Sequence, residues 1–171
     1  MKKTLTVILL VLLLVPGTAF AVKLSPKDQN EILGFKSAAA GMDTTQKALF
    51  YNNQRKDLTV PLLLNLFLGC GIGSFAEGDN VGGLMGLAGE LSFASLYISG
   101  YANGNPDTAV SGLIGLLIIR VCEIIRPINY TREYNRQLSL ALGVSFVQFA
   151  MTPTVAGDGS SGLSLVAKLT F

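Results

Sequence analysis

Histidine is absent from this chain of 171 residues, and charged residues make up only 14% of it. Without imidazole there is no Ser–His or Cys–His nucleophile pair, no two-histidine metal site and no imidazole general base. Two cysteines are too few for a zinc site. We therefore predict that the protein is not an enzyme and that it binds neither a metal nor another cofactor.

Cations are missing from the middle of the chain, where no Lys or Arg occurs between Lys56 and Arg120. A soluble domain rarely runs that far without a positive charge on its surface. Once Lys2 and Lys3 are removed with a signal peptide, basic and acidic residues are equal in number. Nucleic-acid binding is not expected, because neutralising phosphates needs a basic surface. The apolar excess instead predicts membrane lipid as a partner.

The first residues predict a cleavable secretory signal peptide over residues 1–21. Lys2 and Lys3 precede an unbroken apolar run at residues 7–15, and residues 19–21 read Ala-Phe-Ala, an A-x-A cleavage site. The run is shorter than the roughly 20 residues that span a bilayer. No Cys lies nearby to accept a lipid, so we expect an exported polypeptide without a lipid anchor.

Residues 22–57 predict a polar helical region that lies in water or at a membrane interface. Ser25, Pro26 and Asp28 form a helix start, in which Ser caps, Pro takes the first position and Asp meets the positive end of the dipole. Asp43 opens a second short helix. An ordinary solvated helix pair and an interfacial pair are both compatible with this pattern.

Residues 58–136 are apolar and rich in glycine, and they predict three membrane-depth helices. The segments are residues 58–76, residues 81–101 and residues 109–126, the last ending before Pro127. Their small residues at a spacing of four share helical faces and would let helices approach closely in lipid. Close packing in a soluble core is the alternative. The glycines of this pattern are Gly69, Gly73, Gly78, Gly82 and Gly86.

Residues 137–171 predict a β-hairpin, because apolar residues occupy alternate positions from Leu138 onward and again in the final run. A turn is expected within residues 152–162. The terminal Phe171 with this alternation resembles the C-terminal signal of bacterial outer-membrane proteins, so the insertion machinery is a candidate partner. An eight-stranded outer-membrane barrel remains the alternative fold, although the middle of the chain lacks the required alternation.

Three charged residues in the apolar segments need an explanation. Glu90 lies as far before residue 101 as Arg120 lies after residue 109, so antiparallel helices place both roughly 16 Å from the connecting loop. Two interpretations remain open: a structural ion pair that includes Glu123, or charges that line a water-filled route through oligomerised helices. Cys70 and Cys122 either form a disulfide, which an exported compartment permits, or stay as buried thiols.

Two stretches resemble the spirochaetal P13 family of integral outer-membrane proteins. The first is PLLLNLFLG at residues 61–69, continued by GIGSF at residues 71–75, and the second is RPINY at residues 126–130. The resemblance covers about residues 58–138, and Cys70 stands where an aromatic would be expected. It implies a surface-associated outer-membrane protein with channel-forming activity, built of apolar helices rather than a conventional porin barrel.

Together these observations predict an exported, mainly α-helical protein of the outer membrane. We expect it to form or support an ion-conducting pore as a homo-oligomer. The alternative is a non-conducting structural or scaffold protein of the cell envelope.

Overall fold

The computed structural model of the protein describes residues 22–144 and the backbone of residues 146–155 and 161–170. Within that part of the chain, six α-helices are followed by two strands. The mainly helical prediction is confirmed, and the eight-stranded barrel is wrong for residues 22–144. The predicted signal peptide, residues 156–160 of the predicted turn, and Phe171 lie outside the described residues.

The polar region forms two helices that start where the sequence predicts. Helix α1 spans Pro26–Ala38 and helix α2 spans Thr44–Gln54. The Ser25 hydroxyl accepts a hydrogen bond from the Asp28 N–H at 3.2 Å. The Asp43 carboxylate accepts the N–H of the third residue after it at 2.8 Å. Both caps satisfy N–H groups that a helix start leaves without a partner.

The first apolar segment is not one helix, as the sequence had suggested, but two short ones. Helix α3 spans Thr59–Phe67 and helix α4 spans Ile72–Glu77. Between them Gly69, Cys70 and Gly71 have φ angles of 69°, 53° and 67°. Three successive left-handed residues cannot continue a right-handed helix, so the chain reverses. Glycine at two of these positions makes the turn accessible, whereas Cys70 adopts it without that freedom.

The two later apolar segments are long helices. Helix α5 spans Asn80–Ala102 and begins after Asp79. The Asp79 carboxylate accepts a hydrogen bond from the Gly82 N–H at 2.8 Å. Helix α6 spans Pro106–Leu142, and the Asn105 side chain accepts an N–H of its first turn at 3.2 Å. Only residues 103–105 join them, so α5 and α6 form a tight helical pair.

Helix α6 does not end before Pro127, which corrects the sequence prediction. A proline inside a helix removes one hydrogen bond and costs about 3 kcal/mol. Here the Pro127 side chain is fully buried, and Arg126 and Tyr130 beside it bind buried partners from other elements. These contacts outweigh the loss, and the helix continues until Gly143, whose φ of 67° ends it.

The alternation at Leu138 does not begin a strand, because α6 continues to Leu142. These two leucines are four residues apart, so they share one helical face, and both are buried. The strands come later. Strand β1 spans Phe146–Val155 and pairs antiparallel with β2 at Ser161–Thr170.

In the most apolar parts of α5 and α6, large apolar side chains are exposed, whereas in a soluble helical bundle such side chains are buried. The buried residues of α5 are four glycines and Glu90. Both helices are long and apolar enough to cross a membrane, and only 17% and 22% of their most apolar windows are buried. Large apolar side chains therefore point outward, where lipid can cover them. The more exposed ones are Val81, Leu84, Leu91, Ile98, Tyr101, Val110, Leu117 and Val121.

The chain divides into two compact units. One joins residues 22–31 with Arg55–Asn135, and it contains the buried charges described below and the apolar helices as far as Asn135. The other joins Ile32–Gln54 with the residues from Arg136 onward. Within the second unit, the rings of Phe35 and Phe50 pack edge to face with centroids 5.5 Å apart.

Candidate functional site: an intramembrane charge cluster

The structure brings Glu90, Arg120 and Glu123 together, and we call these three residues the charge cluster. Arg120 Nε lies 2.9 Å from Glu90 Oε1, and Arg120 Nη1 lies 3.5 Å from Glu123 Oε2. Neither carboxylate oxygen has a hydrogen bond of good alignment, so the attraction is mainly electrostatic. One guanidinium thus lies between two carboxylates from two apolar helices.

The second oxygen of each carboxylate faces the turn between α3 and α4. Glu90 Oε2 accepts the Cys70 N–H at 3.0 Å, and Glu123 Oε1 accepts the Gly71 N–H at 2.7 Å. Backbone N–H groups outside a helix must find partners at membrane depth, because no water is available there. The cluster therefore stabilises the turn, and the N–H groups of the turn in return satisfy one oxygen of each carboxyl group.

The members of the charge cluster differ in exposure. The side chains of Glu90 and Glu123 are 11% and 3% exposed, whereas the Arg120 side chain is 42% exposed. On the same helix, Leu117 and Val121 are 62% and 55% exposed. The side chain of a charged residue is thus partly exposed between apolar neighbours of α6.

The glycine row of α5 makes room for charged side chains. A Cβ atom placed on Gly82 would overlap Arg126, and one placed on Gly86 would overlap the Glu123 carboxylate. In the turn, a Cβ on Gly69 would overlap the Arg120 guanidinium. The sequence predicted these glycines as points of close helix packing, but their main effect is to admit the charges.

Two glycines outside that row let the backbones of α5 and α6 come into contact. This is the close helix packing that the sequence predicted for the glycines of the row. A Cβ on Gly100 would overlap the backbone of Ala109, and one on Gly112 would overlap the backbone of Tyr97. These two contacts hold α5 and α6 close near their connecting loop. Sequence reasoning missed both, because these glycines lie outside the row at a spacing of four.

Of the remaining predicted glycines, Gly73 lies in the first turn of α4 and Gly78 follows its last residue. A Cβ on Gly73 would overlap the Pro61 carbonyl of α3. Its N–H also donates to Asn65 Oδ1 at 2.6 Å. Gly78 has a φ of 96° and ends α4, so its role is to turn the chain.

Asn65 joins α3, α4 and α6, and it is only 1% exposed. Its side-chain amide donates to the Glu123 carbonyl at 2.7 Å and to the Ser74 hydroxyl at 3.3 Å. The Asn65 carbonyl accepts a hydrogen bond from Arg120 Nη1 at 3.2 Å. The apolar α3 helix is thereby fixed against the charge cluster by one buried amide.

A second buried ion pair joins Asp79 and Arg126. Arg126 Nε lies 2.6 Å from Asp79 Oδ2, and Arg126 Nη2 donates to Asp79 Oδ1 at 3.2 Å. This two-point contact is the strong form of the arginine–carboxylate interaction. Sequence reasoning missed the pair. Asp79 precedes one apolar segment and Arg126 ends the next, so an antiparallel arrangement would have indicated it.

A third polar group surrounds Lys56. Its ammonium lies 2.8 Å from Asp28 and donates to the Glu77 carbonyl at 2.5 Å. It also lies 5.1 Å and 4.6 Å from the ring centres of Tyr130 and Tyr134, within range of a cation–π contact. The Tyr130 hydroxyl donates to Asp28 at 2.5 Å. This group ties the start of α1 to the polar part of α6.

Glu77 is buried beside this group, and its burial raises the pKa of the carboxyl to about 7. The hydrogen bond from the Thr131 hydroxyl and the charge of Lys56 act in the opposite direction but are smaller effects. Within the described part of the chain, Glu77 Oε2 has no hydrogen-bond partner. The site therefore favours the neutral carboxyl.

Cys70 and Cys122 are free thiols in the structure, so the predicted alternative of a disulfide is not formed. Both are half-buried. The Cys70 thiol donates to Glu90 Oε2 at 2.9 Å, beside the bond from its own N–H. Cys70 therefore belongs to the surroundings of the charge cluster. No group of His, Cys, Asp and Glu among the described residues could hold a metal ion.

Comparison with known proteins assigns the chain to a family. A family model described as Borrelia membrane protein P13 matches residues 48–171, most of the chain. The match confirms the resemblance drawn from residues 58–138 and extends it to the C-terminal strands. No curated protein and no solved structure matches the chain.

Proposed function

The chain belongs to the Borrelia P13 membrane-protein family, and from that premise we propose that it forms an oligomeric, ion-conducting pore in the outer membrane. The observation that supports this most strongly is Arg120, a charged residue whose side chain is 42% exposed on a largely apolar helical surface. A charge that faces hydrocarbon at mid-depth costs several kcal/mol. Water along that surface would remove most of this cost.

One copy offers only two helices long enough to cross the membrane among the described residues. Two helices are too few to enclose an aqueous path, so the path needs several copies. If each copy turns its Arg120 surface toward a shared axis, Glu90 and Glu123 stay behind the guanidinium and reduce its field. The remaining apolar surface then faces lipid. Membrane lipid and further copies of the chain are thus the proposed partners.

Single-channel recording in planar bilayers tests this proposal. We expect discrete conductance steps from the chain without residues 1–21. We also expect Arg120→Gln or Glu90→Gln to shift the reversal potential in a salt gradient, because each change alters the charge along the path. The matched control is Arg132→Gln, which removes the same charge from an exposed position on the same helix. Unchanged selectivity in conducting Arg120→Gln and Glu90→Gln channels would exclude the lining role.

A scaffold role is the second candidate, and the burial of Glu90 and Glu123 favours it. Both carboxylates bind turn amides, so the cluster also has the form of a structural element. On this account Glu90→Gln should lower stability strongly and leave no conductance to alter. Replacing Glu90 and Arg120 together with apolar residues should restore stability, because it leaves no single charge buried without its partner.

A further inference from the structure

The segment Thr59–Glu77 consists of α3, the turn and α4, and neither of its two helices is long enough to cross a membrane. At about 1.5 Å per residue, α3 is roughly 14 Å long and α4 roughly 9 Å. A bilayer core is about 30 Å thick. Each helix can therefore reach no farther than about its middle.

The turn of this segment lies at the middle of α5. Its N–H groups contact Glu90 and Glu123, and Glu90 lies about 15 Å from the start of α5 at about 1.5 Å per residue. By the same rise, α5 is about 35 Å long, close to the thickness of a bilayer. The turn therefore reaches mid-depth.

Both ends of the segment lie beside the polar part of α6. Before α3, the Lys56 N–H donates to the Asn135 side chain at 2.9 Å, and Asn135 returns a bond to the Lys56 carbonyl at 3.0 Å. At the end of α4, Glu77 accepts a hydrogen bond from Thr131. Along α6, these contacts lie about 12 to 18 Å beyond Glu123, on the same side of it.

The outer face of the segment is apolar, and its inner face is polar or small. Asn65, Gly73 and Ser74 are buried, and Asn65 donates a hydrogen bond to the Glu123 carbonyl of α6. Its large apolar residues that are more than a third exposed are Val60, Leu63, Leu66, Phe67, Leu68, Ile72 and Phe75. Irregular backbone at membrane depth is tolerated only where protein groups satisfy it, and here Glu90 and Glu123 do so.

We propose that Thr59–Glu77 is a re-entrant membrane segment, which enters the bilayer, turns at the depth of Glu90 and leaves on the side from which it entered. The segment covers the carboxylate side of the charge cluster. The inference rests on the hydrogen bonds of the turn and of the two ends, and it does not depend on whether the protein conducts.

Chemical labelling from one side of a membrane tests this topology. Single-cysteine variants Asp57→Cys, Asn80→Cys and Asn103→Cys are made in a chain that also carries Cys70→Ser and Cys122→Ser. All three positions are exposed, so the substitutions leave the packing intact. Each variant is reconstituted in sealed vesicles under conditions that give unequal orientations. A membrane-impermeant maleimide is then added before and after detergent.

Before detergent, we expect the same labelled fraction in Asp57→Cys and Asn80→Cys. In Asn103→Cys the labelled fraction should be the remainder, because residue 103 lies on the other side of the membrane. If Asp57→Cys follows Asn103→Cys instead, residues 58–79 cross the membrane and the proposal is wrong. If all three are labelled equally despite unequal orientations, α5 does not cross and the proposal also fails. In each variant, the additional labelling that appears only after detergent shows that the vesicles were sealed.

Discussion

Two glycines of α5 lack a side chain where a charged side chain of the facing helix α6 packs against them. Gly82 admits Arg126, and Gly86 admits the Glu123 carboxylate and the backbone of Gly71. The row of glycines at a spacing of four was visible in the sequence, but the identity of the residues that face it was not. Spacing shows which residues share a face, whereas only the fold shows what lies opposite.

Gly86→Ala should lower stability by about 1 to 3 kcal/mol, because the added methyl would overlap backbone atoms that cannot move freely. Thermal unfolding in detergent, followed by circular dichroism at the helical signal, measures the change. The matched control is Gly34→Ala in α1, where nothing lies within 4 Å of an added Cβ. That variant should be neutral or slightly more stable. Equal melting temperatures for the two variants would contradict the packing described.

Glu77 makes stability depend on pH. Its pKa is about 7 in the folded protein and 4.5 without burial, so between these values the folded protein keeps a proton that the unfolded chain releases. The contribution of Glu77 to stability should therefore be fully present below about pH 4.5 and should be lost as the pH rises through about 7, by at most about 3 kcal/mol.

Melting temperatures in detergent at pH 5 and pH 8 test this dependence. We expect the wild type to melt lower at pH 8, and Glu77→Gln to lose most of that difference while keeping an acceptor for Thr131. The same pH difference in both proteins would show that Glu77 is not the group responsible.

At the scale of elements, the turn between α3 and α4 and the length of α6 are the features that local sequence did not predict. Proline destabilises a helix locally, which is why the sequence predicted an end at Pro127. The buried contacts of Arg126 and Tyr130 compensate for this loss, and the helix continues. Likewise, Gly69 and Gly71 allow a reversal, but the carboxylates that stabilise it come from distant helices. By contrast, the helix starts at Ser25 and Asp43 depend on neighbours in sequence, and they were predicted.

The turn should loosen when Glu123 loses its carboxylate. Glu123→Met removes the acceptor of the Gly71 N–H, and losing one such bond to a charged group should speed amide hydrogen exchange in the turn by about tenfold or more. Mass spectrometry of a peptide covering residues 66–76 measures this rate. Glu31→Met, at an exposed position of α1, is the control and should leave the rate unchanged. Unaltered exchange in Glu123→Met would show that the turn does not need this carboxylate.

At the scale of the whole molecule, the membrane-length helix α5 reverses the polarity pattern of a helix in a soluble protein. Its buried residues are glycines and Glu90, and its large apolar side chains are exposed. The absence of cations from residues 57–119 predicted membrane embedding correctly. Counting residues from the loop between the two helices also predicted correctly that Glu90 and Arg120 lie at the same depth. The sequence also offered Glu123 as a member of the ion pair, but it could not predict that two turn amides bind the carboxylates, because these contacts depend on how α3 and α4 reverse.

The most direct test of this arrangement measures which surface of α5 touches lipid. The chain contains no tryptophan, so a single introduced tryptophan reports its own surroundings. Leu91→Trp replaces an apolar side chain that is 60% exposed on α5, and Leu49→Trp replaces one that is 61% exposed on the polar helix α2. Both are reconstituted in bilayers whose acyl chains carry bromine, a fluorescence quencher. We expect strong quenching of Leu91→Trp by the lipid, and of Leu49→Trp only by aqueous iodide. Quenching of Leu91→Trp by iodide and not by brominated lipid would contradict the account.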